Sequence, residues 1–186
     1  NINDKSLALN KILFPYFGGR MRIKELGDLF PKNNIDANSY TMKNADQIAK
    51  QYQIIHDLYQ ELKEKGKNSM YILPKIIYAR QNIELLKVPT FIKLIEDNLL
   101  EGKSVVMFVN FTETLEQIAD HFKTNCVIHG KQNLTERLDN IKRFQDNEER
   151  LIISNIRAGG VGISLHDLYG SHQRVSIISP TWSAQD

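Results

Sequence analysis

Hydrophobic positions along this chain fall into two regimes that meet near residue 103. Before it, apolar residues recur at helical spacing: Ala45, Ile48, Ala49, Tyr52, Ile55, Tyr59 and Leu62 form one stripe. Asn44, with Gln47 three residues on, has the form of a capping box ahead of that stripe. The helix should stop near Gly66. A second helix is predicted over about Met70 to Leu86, with Pro74 in the first turn, where a missing N–H is tolerated. Pro89 is expected to break the pattern. A third helix then runs through Phe91, Leu94, Ile95 and Leu99 to Gly102 as its C-cap. Such stripes read as core, and no chemistry is assigned to residues 44–102.

From residue 104 the period changes. Ser104 to Asn110 is a continuous apolar run of strand length, followed by a helix from Thr112 with Leu115, Ile118, Ala119 and Phe122 on one face. Asn125 to His129 reads as a second strand, and a helix through Leu134, Leu138, Ile141 and Phe144 comes next. Leu151 to Ser154 and Arg174 to Ser179 read as the third and fourth strands. Apolar strands alternating with amphipathic helices predict an α/β fold, a parallel sheet covered by helices on both faces and preceded by an α-helical region. Ligands of such sheets bind beyond the carboxyl ends of the strands. The loops 110–112, 129–131, 155–162 and 180–182 should therefore be neighbours. The organisation expected is a connector over 1–43, a helical region over 44–102 and the α/β lobe over 103–186.

Residues 1–43 carry the weakest pattern. Phe14 to Arg22 mixes aromatics, a Gly18-Gly19 pair and two arginines, and reads as a surface connector; Lys32 to Tyr40 reads as loop or edge strand.

Composition narrows the classes. With 186 residues, 41% of them apolar and 25% charged, the chain is long enough for one ordinary domain with an appendage. A net charge of +2 does not mark a nucleic-acid binder, so any basic surface must be local. The single cysteine, Cys126, excludes an internal disulfide framework and suits a reducing interior. No run is long and apolar enough for a membrane span, and residues 1–20 lack a signal-peptide pattern, so an intracellular site, cytoplasmic or nuclear, is expected.

The strongest local signal is Leu151 to Leu165. Gly159, Gly160 and Gly162 place three glycines in four positions directly after a strand. Such a loop can expose backbone N–H groups to a phosphate, or it can simply turn tightly between a strand and a helix. Gly102-Lys103-Ser104 imitates the end of a P-loop, but Asp97 occupies the place of the first glycine and the triplet precedes a strand. Gly102 reads as a helix cap. Leu165 stands at the third position of a dinucleotide fingerprint, and no HExxH, cysteine pair or GxSxG is present, so neither a metal site nor a covalent catalyst is expected.

Four stretches in order resemble the C-terminal, second RecA-like lobe of superfamily 2 helicases and translocases, most like the Swi/Snf type. SVVMFVNFTETLEQIADHF is similar to motif IV and its helix, VIHGKQNLTERLDNIKRFQ to the following strand and arginine-bearing helix, SNIRAGGVGISL to motif V, and IISPTWSAQD to the approach to motif VI. The resemblance covers about residues 104–186, with a looser match before it. It implies that Asn110, Thr112, Gly130, Lys131, Arg137, Asn155 and Trp182 lie along a nucleic-acid backbone, reading phosphates and not bases. It implies that Arg157, Gly159, Gly160 and Gly162 face the nucleotide. Ile156 stands where the family usually has Thr or Ser before this arginine, leaving Asn155 to inherit the polar contact. Ser183-Ala184 follow Trp182 where Asn-Pro is common. No Walker A or Asp-Glu-x-His box is present, and the chain ends at Asp186, ahead of the motif VI arginines. The expectation is a fragment, inactive alone, whose parent protein uses ATP and Mg with a first RecA-like lobe to move along or remodel double-stranded DNA. Two alternatives are a non-catalytic α/β nucleotide- or protein-binding module and an RNA helicase lobe.

Overall fold

The computed structural model describes residues 2–13, 38–65, 70–159, 163–167 and 169–180. The chain divides into two units, Asn1–Tyr40 and Thr41–Asp186. The first contains helix α1, Ile2–Leu13. The stretch Phe14 to Arg22, read as a connector, lies outside the described residues.

The second unit opens with two helices, α2 (Ala45–Lys65) and α3 (Ile72–Leu100). Ile48, Ile55 and Leu58 of α2 meet Ile72, Ile76, Ala79 and Ile83 of α3 in one apolar cluster. The sequence pattern called for two helices broken at Pro89, and the structure corrects this: α3 runs unbroken for 29 residues with Pro89 inside it. Proline takes a donor away from the carbonyl four residues earlier. Here Val88, Phe91 and Ile95, all buried on the sheet around that position, supply burial that offsets the lost bond. Asn44 does not close a side-chain capping box either. Its carbonyl accepts from the amides of Gln47 and Ile48 at 3.1 Å each, while its Nδ2 donates to the Leu86 carbonyl on α3.

After α3 come β1 (Ser104–Val109), α4 (Thr112–Phe122), β2 (Val127–Ile128), α5 (Leu134–Gln145), β3 (Leu151–Asn155), the short α6 (Ile156–Gly159) and β4 (Arg174–Ile178). The four strands form one parallel sheet in the order β2-β3-β1-β4, with Val105 opposite both Leu151 and Val175. Successive strand residues point to opposite faces, and the core splits accordingly. Val105, Met107, Val109, Leu151 and Ile153 pack against Phe91 and Ile95 of α3 and Leu115 and Ile118 of α4. Val106, Ile128 and Ile152 pack on the other face against Cys126 and against Ile141 and Phe144 of α5. The predicted stripe on α5 is only half used: Ile141 and Phe144 are buried, but Leu134 and Leu138 are exposed. Both exposed leucines lie in the first two turns of α5, and β2, the strand at that end of the sheet order, is only two residues long.

Caps and clips fix the helix ends. Gly102 adopts φ +80°, with its amide on the Leu99 carbonyl and the Lys103 amide on Asn98, so it caps α3 as its spacing suggested and no P-loop forms. Arg150, just before β3, donates Nη2 to the carbonyls of Leu99 and Lys103 at 2.7 and 2.8 Å. At the start of β4, Arg174 lies over the Phe144 ring and donates to the Phe144 carbonyl at 2.9 Å and Asn147 Oδ1 at 2.8 Å. Asp167 completes this clip by accepting from the amides of His172 and Tyr169 and from Asn147 Nδ2. These backbone and side-chain bonds hold its carboxyl well below the usual range.

Candidate nucleic-acid interface

Strand order decides which loops meet. At the carboxyl edge the sheet places the loops in the order 129–131, 155 onward, 110–112 and 179–180. Neighbouring strands lie ~4.8 Å apart, so the four span roughly 14 Å. That length covers about four nucleotides at ~3.4 Å rise along one strand of a duplex.

The Asn110 loop is built on a residue the sequence pattern did not single out. Glu84 of α3 is only 3% exposed although its side chain is polar. Its Oε1 accepts from the Asn110 amide at 2.9 Å and from Asn110 Nδ2 at 2.7 Å, and its Oε2 accepts from the Phe111 amide at 3.0 Å. Phe111 is the N-cap residue of α4 and offers no side-chain cap; Glu84 Oε2 satisfies the amide of that residue from outside the helix. Asn110 Nδ2 also reaches Ser179 Oγ and the Pro180 carbonyl at 3.4 Å each, joining the ends of β1 and β4. A glutamate inside the apolar run Ile83-Glu84-Leu85-Leu86 was the visible signal.

At the next loop, Asn155 Nδ2 donates to Thr112 Oγ1 at 3.0 Å, joining the end of β3 to the first turn of α4. The Thr112 hydroxyl accepts in that bond and keeps its own proton to donate outward. Asn155 Oδ1 is buried without a partner. Arg137 of α5 donates Nη2 to the Ala158 carbonyl, so its guanidinium steadies the short α6 and the turn that carries Arg157. Arg157 itself is exposed. The structure thus brings Asn110, Thr112 and Asn155 together and sets Arg137 beneath α6.

Gly130 and Lys131 form the outer loop. Around them His129 accepts Gln132 N at 3.3 Å and donates its own amide to Gln132 Oε1 at 3.0 Å, while Lys131 N donates to His129 Nδ1 at 3.3 Å. A Cβ built on Gly130 would meet nothing within 4 Å, and its φ is not left-handed. Nothing inside the fold requires glycine there. Gly159 ends α6, while Gly160, Gly162 and Trp182 lie outside the described residues. Among the described residues, no three His, Cys, Asp or Glu side chains converge on a point, and no helix is long and apolar enough to cross a membrane.

A parallel sheet sandwiched by helices, with amide, hydroxyl and cationic groups gathered at its carboxyl edge, defines a RecA-like α/β lobe. The chain belongs to the helicase conserved C-terminal domain family, which matches residues 86–184. It is also 41% identical over 184 residues to a putative ATP-dependent RNA helicase of Acanthamoeba polyphaga mimivirus. The match takes in 99% of this chain and 34% of that relative, so the chain spans about a third of the relative's length.

Proposed function

We propose that this chain is the second motor lobe of an ATP-dependent nucleic-acid motor, laying its carboxyl-edge loops along the phosphate backbone. In this reading Asn110, Thr112, Asn155, Gly130, Lys131 and Trp182 track the backbone, Arg137 positions α6, and Arg157 with Gly159, Gly160 and Gly162 faces a nucleotide shared with a first lobe. The observation that carries it is the Asn155–Thr112 bond, which holds two loops from non-consecutive elements in one row with the Thr112 hydroxyl free to donate. Backbone contacts of this kind fix position without reading sequence.

The nucleotide side suits a triphosphate: Arg157 is exposed, and its guanidinium has no partner among the described residues. When bound, ATP with its Mg supplies the phosphoryl-transfer chemistry that drives lobe closure. The residues of this lobe that would orient the phosphates are Arg157 and the glycine loop after β3. The motif sequence most resembles Swi/Snf-type proteins, which favours movement along duplex DNA. A second reading, an RNA helicase lobe, is favoured by the description of the mimiviral relative.

One experiment tests the assignment. ATPase activity of the full-length protein is measured with duplex DNA, single-stranded DNA, duplex RNA and single-stranded RNA. Stimulation by duplex DNA is expected; stimulation by RNA alone selects the second reading. No stimulation by any of the four would reject the motor assignment.

A further inference from the structure

The edge that carries the backbone loops continues onto the helical pair. A shallow cleft of about 30 Å3 lies where α3 meets the carboxyl ends of β1 and β4, lined by Tyr52, Arg80, Glu84, Lys87, Asn110 and Pro180 among others. Arg80, Glu84 and Lys87 are spaced four and three residues apart, which puts them on one face of α3. Glu84 forms the floor, and its two oxygens are engaged by three N–H donors from Asn110 and Phe111. That leaves the carboxylate without a need for Lys87. Lys87 is half-buried and makes no ion pair with any described acid, although Glu84 is three residues away. A lysine held half out of water beside a saturated carboxylate presents its charge to whatever enters the cleft.

We infer that Lys87 receives a backbone phosphate of the bound polynucleotide, making α3 part of the track. This rests on the motor reading above and extends it to a helix to which no contact has been assigned. The cleft adjoins Asn110 and Pro180, so a strand lying across the four loops runs off the β4 edge toward Lys87. Tyr52 of α2 adds an exposed aromatic edge with a hydroxyl donor at the far side.

The test is the salt dependence of binding by the full-length protein to a duplex DNA of about 20 base pairs and to the matching RNA duplex, between about 50 and 200 mM salt. Three variants are compared with the parent: Lys87→Gln, Lys87→Arg and Lys131→Gln. Each neutralised phosphate contact should lower the slope of log K against log salt by about 0.9 on B-form DNA. The expected result is a shallower slope for Lys87→Gln, recovery in Lys87→Arg, and unchanged melting for both. That recovery separates a charge contact from a packing effect. A parental slope in Lys87→Gln alongside a reduced slope in Lys131→Gln would overturn the α3 contact and leave the motor reading standing. Parental slopes in both, or no binding to either duplex, would overturn the two together.

Discussion

Asn155 and Thr112 are 43 residues apart in sequence, yet the Asn155 amide meets the Thr112 hydroxyl at 3.0 Å where β3 and α4 come side by side. The bond uses the hydroxyl as acceptor, so replacing it with a methyl removes two functions at once. Thr112→Val keeps the shape of the side chain. It strands the Asn155 amide, whose Oδ1 is already buried without a partner, and should lower stability by about 1–3 kcal/mol in urea denaturation. It should also weaken polynucleotide binding by roughly 3- to 10-fold, the worth of one hydrogen bond of about 0.5–1.5 kcal/mol. Unchanged affinity at constant salt would mean that the hydroxyl faces no phosphate.

Glu84 anchors the neighbouring loop from the helical pair. Three donors converge on one buried carboxylate, and Glu84→Ala would leave the Asn110 and Phe111 amides without an acceptor and Asn110 Nδ2 with only its two 3.4 Å contacts. A loss of about 3 kcal/mol is expected, near the upper end for single substitutions, because unsatisfied buried donors carry the full desolvation penalty. Glu84→Gln should retain about half of this, since its carbonyl can still serve Asn110 while its amide opposes the Phe111 N–H. Equal melting curves for parent and Glu84→Ala would show that the clasp does not form in solution.

These two contacts mark the limits of what the sequence disclosed. The parallel sheet and its neighbouring loops were legible because apolar runs such as Val105–Val109 and Leu151–Ile153 are buried on both faces, whereas the strand order was not. Helix α3 was misread at Pro89, since local propensity opposes a proline there and only the burial of Val88, Phe91 and Ile95 reverses the balance. Glu84 escaped notice because its partners are backbone amides 26 and 27 residues on, which no spacing rule reaches. Leu134 and Leu138 fit the helical period and are nonetheless exposed, because period alone does not say how far the sheet extends.

The Asp167 clip makes a pH prediction. Its carboxyl is held down by the His172 amide first and the Asn147 side chain next, with further help from the Tyr169 amide and Arg174. A depressed folded value means that the contribution is complete above the unfolded carboxylate pKa of about 3.9 and is lost as pH falls from there through the folded value. Asp167→Asn cannot titrate. It should be less stable than the parent at neutral pH, and the difference should shrink as the pH drops below about 4. Melting curves collected from neutral to acid pH measure this directly. A gap that stays constant with pH would remove Asp167 from the acid response.

Lys123 closes α4 in the left-handed region, at φ 51°, with its own amide and that of Thr124 bonded back to Asp120 and Ala119. A Cβ is unfavourable in this conformation, and glycine occupies it freely. Lys123→Gly should therefore raise stability by about 0.5–1 kcal/mol, the relief of strain exceeding the added freedom of the unfolded chain. The side chain is exposed and outside the proposed track, so binding should not change. A destabilised variant would mean that Lys123 makes a contact outweighing its backbone strain.

Gly130 separates the demands of folding from those of binding. Its backbone angle is open to any residue, and an added Cβ would enter empty space. Gly130→Ala should melt within about 0.5 kcal/mol of the parent, or slightly higher as the unfolded chain loses freedom. If a phosphate lies against the bare Cα, however, the methyl group intrudes on the ligand and on nothing else. Binding should then fall several-fold in Gly130→Ala and further in Gly130→Val, with stability little changed in the first. Titrations at fixed salt, read beside melting curves, distinguish the cases. Full affinity in both variants would show that the strand does not pass over β2, and would confine the track to the loops after β3, β1 and β4.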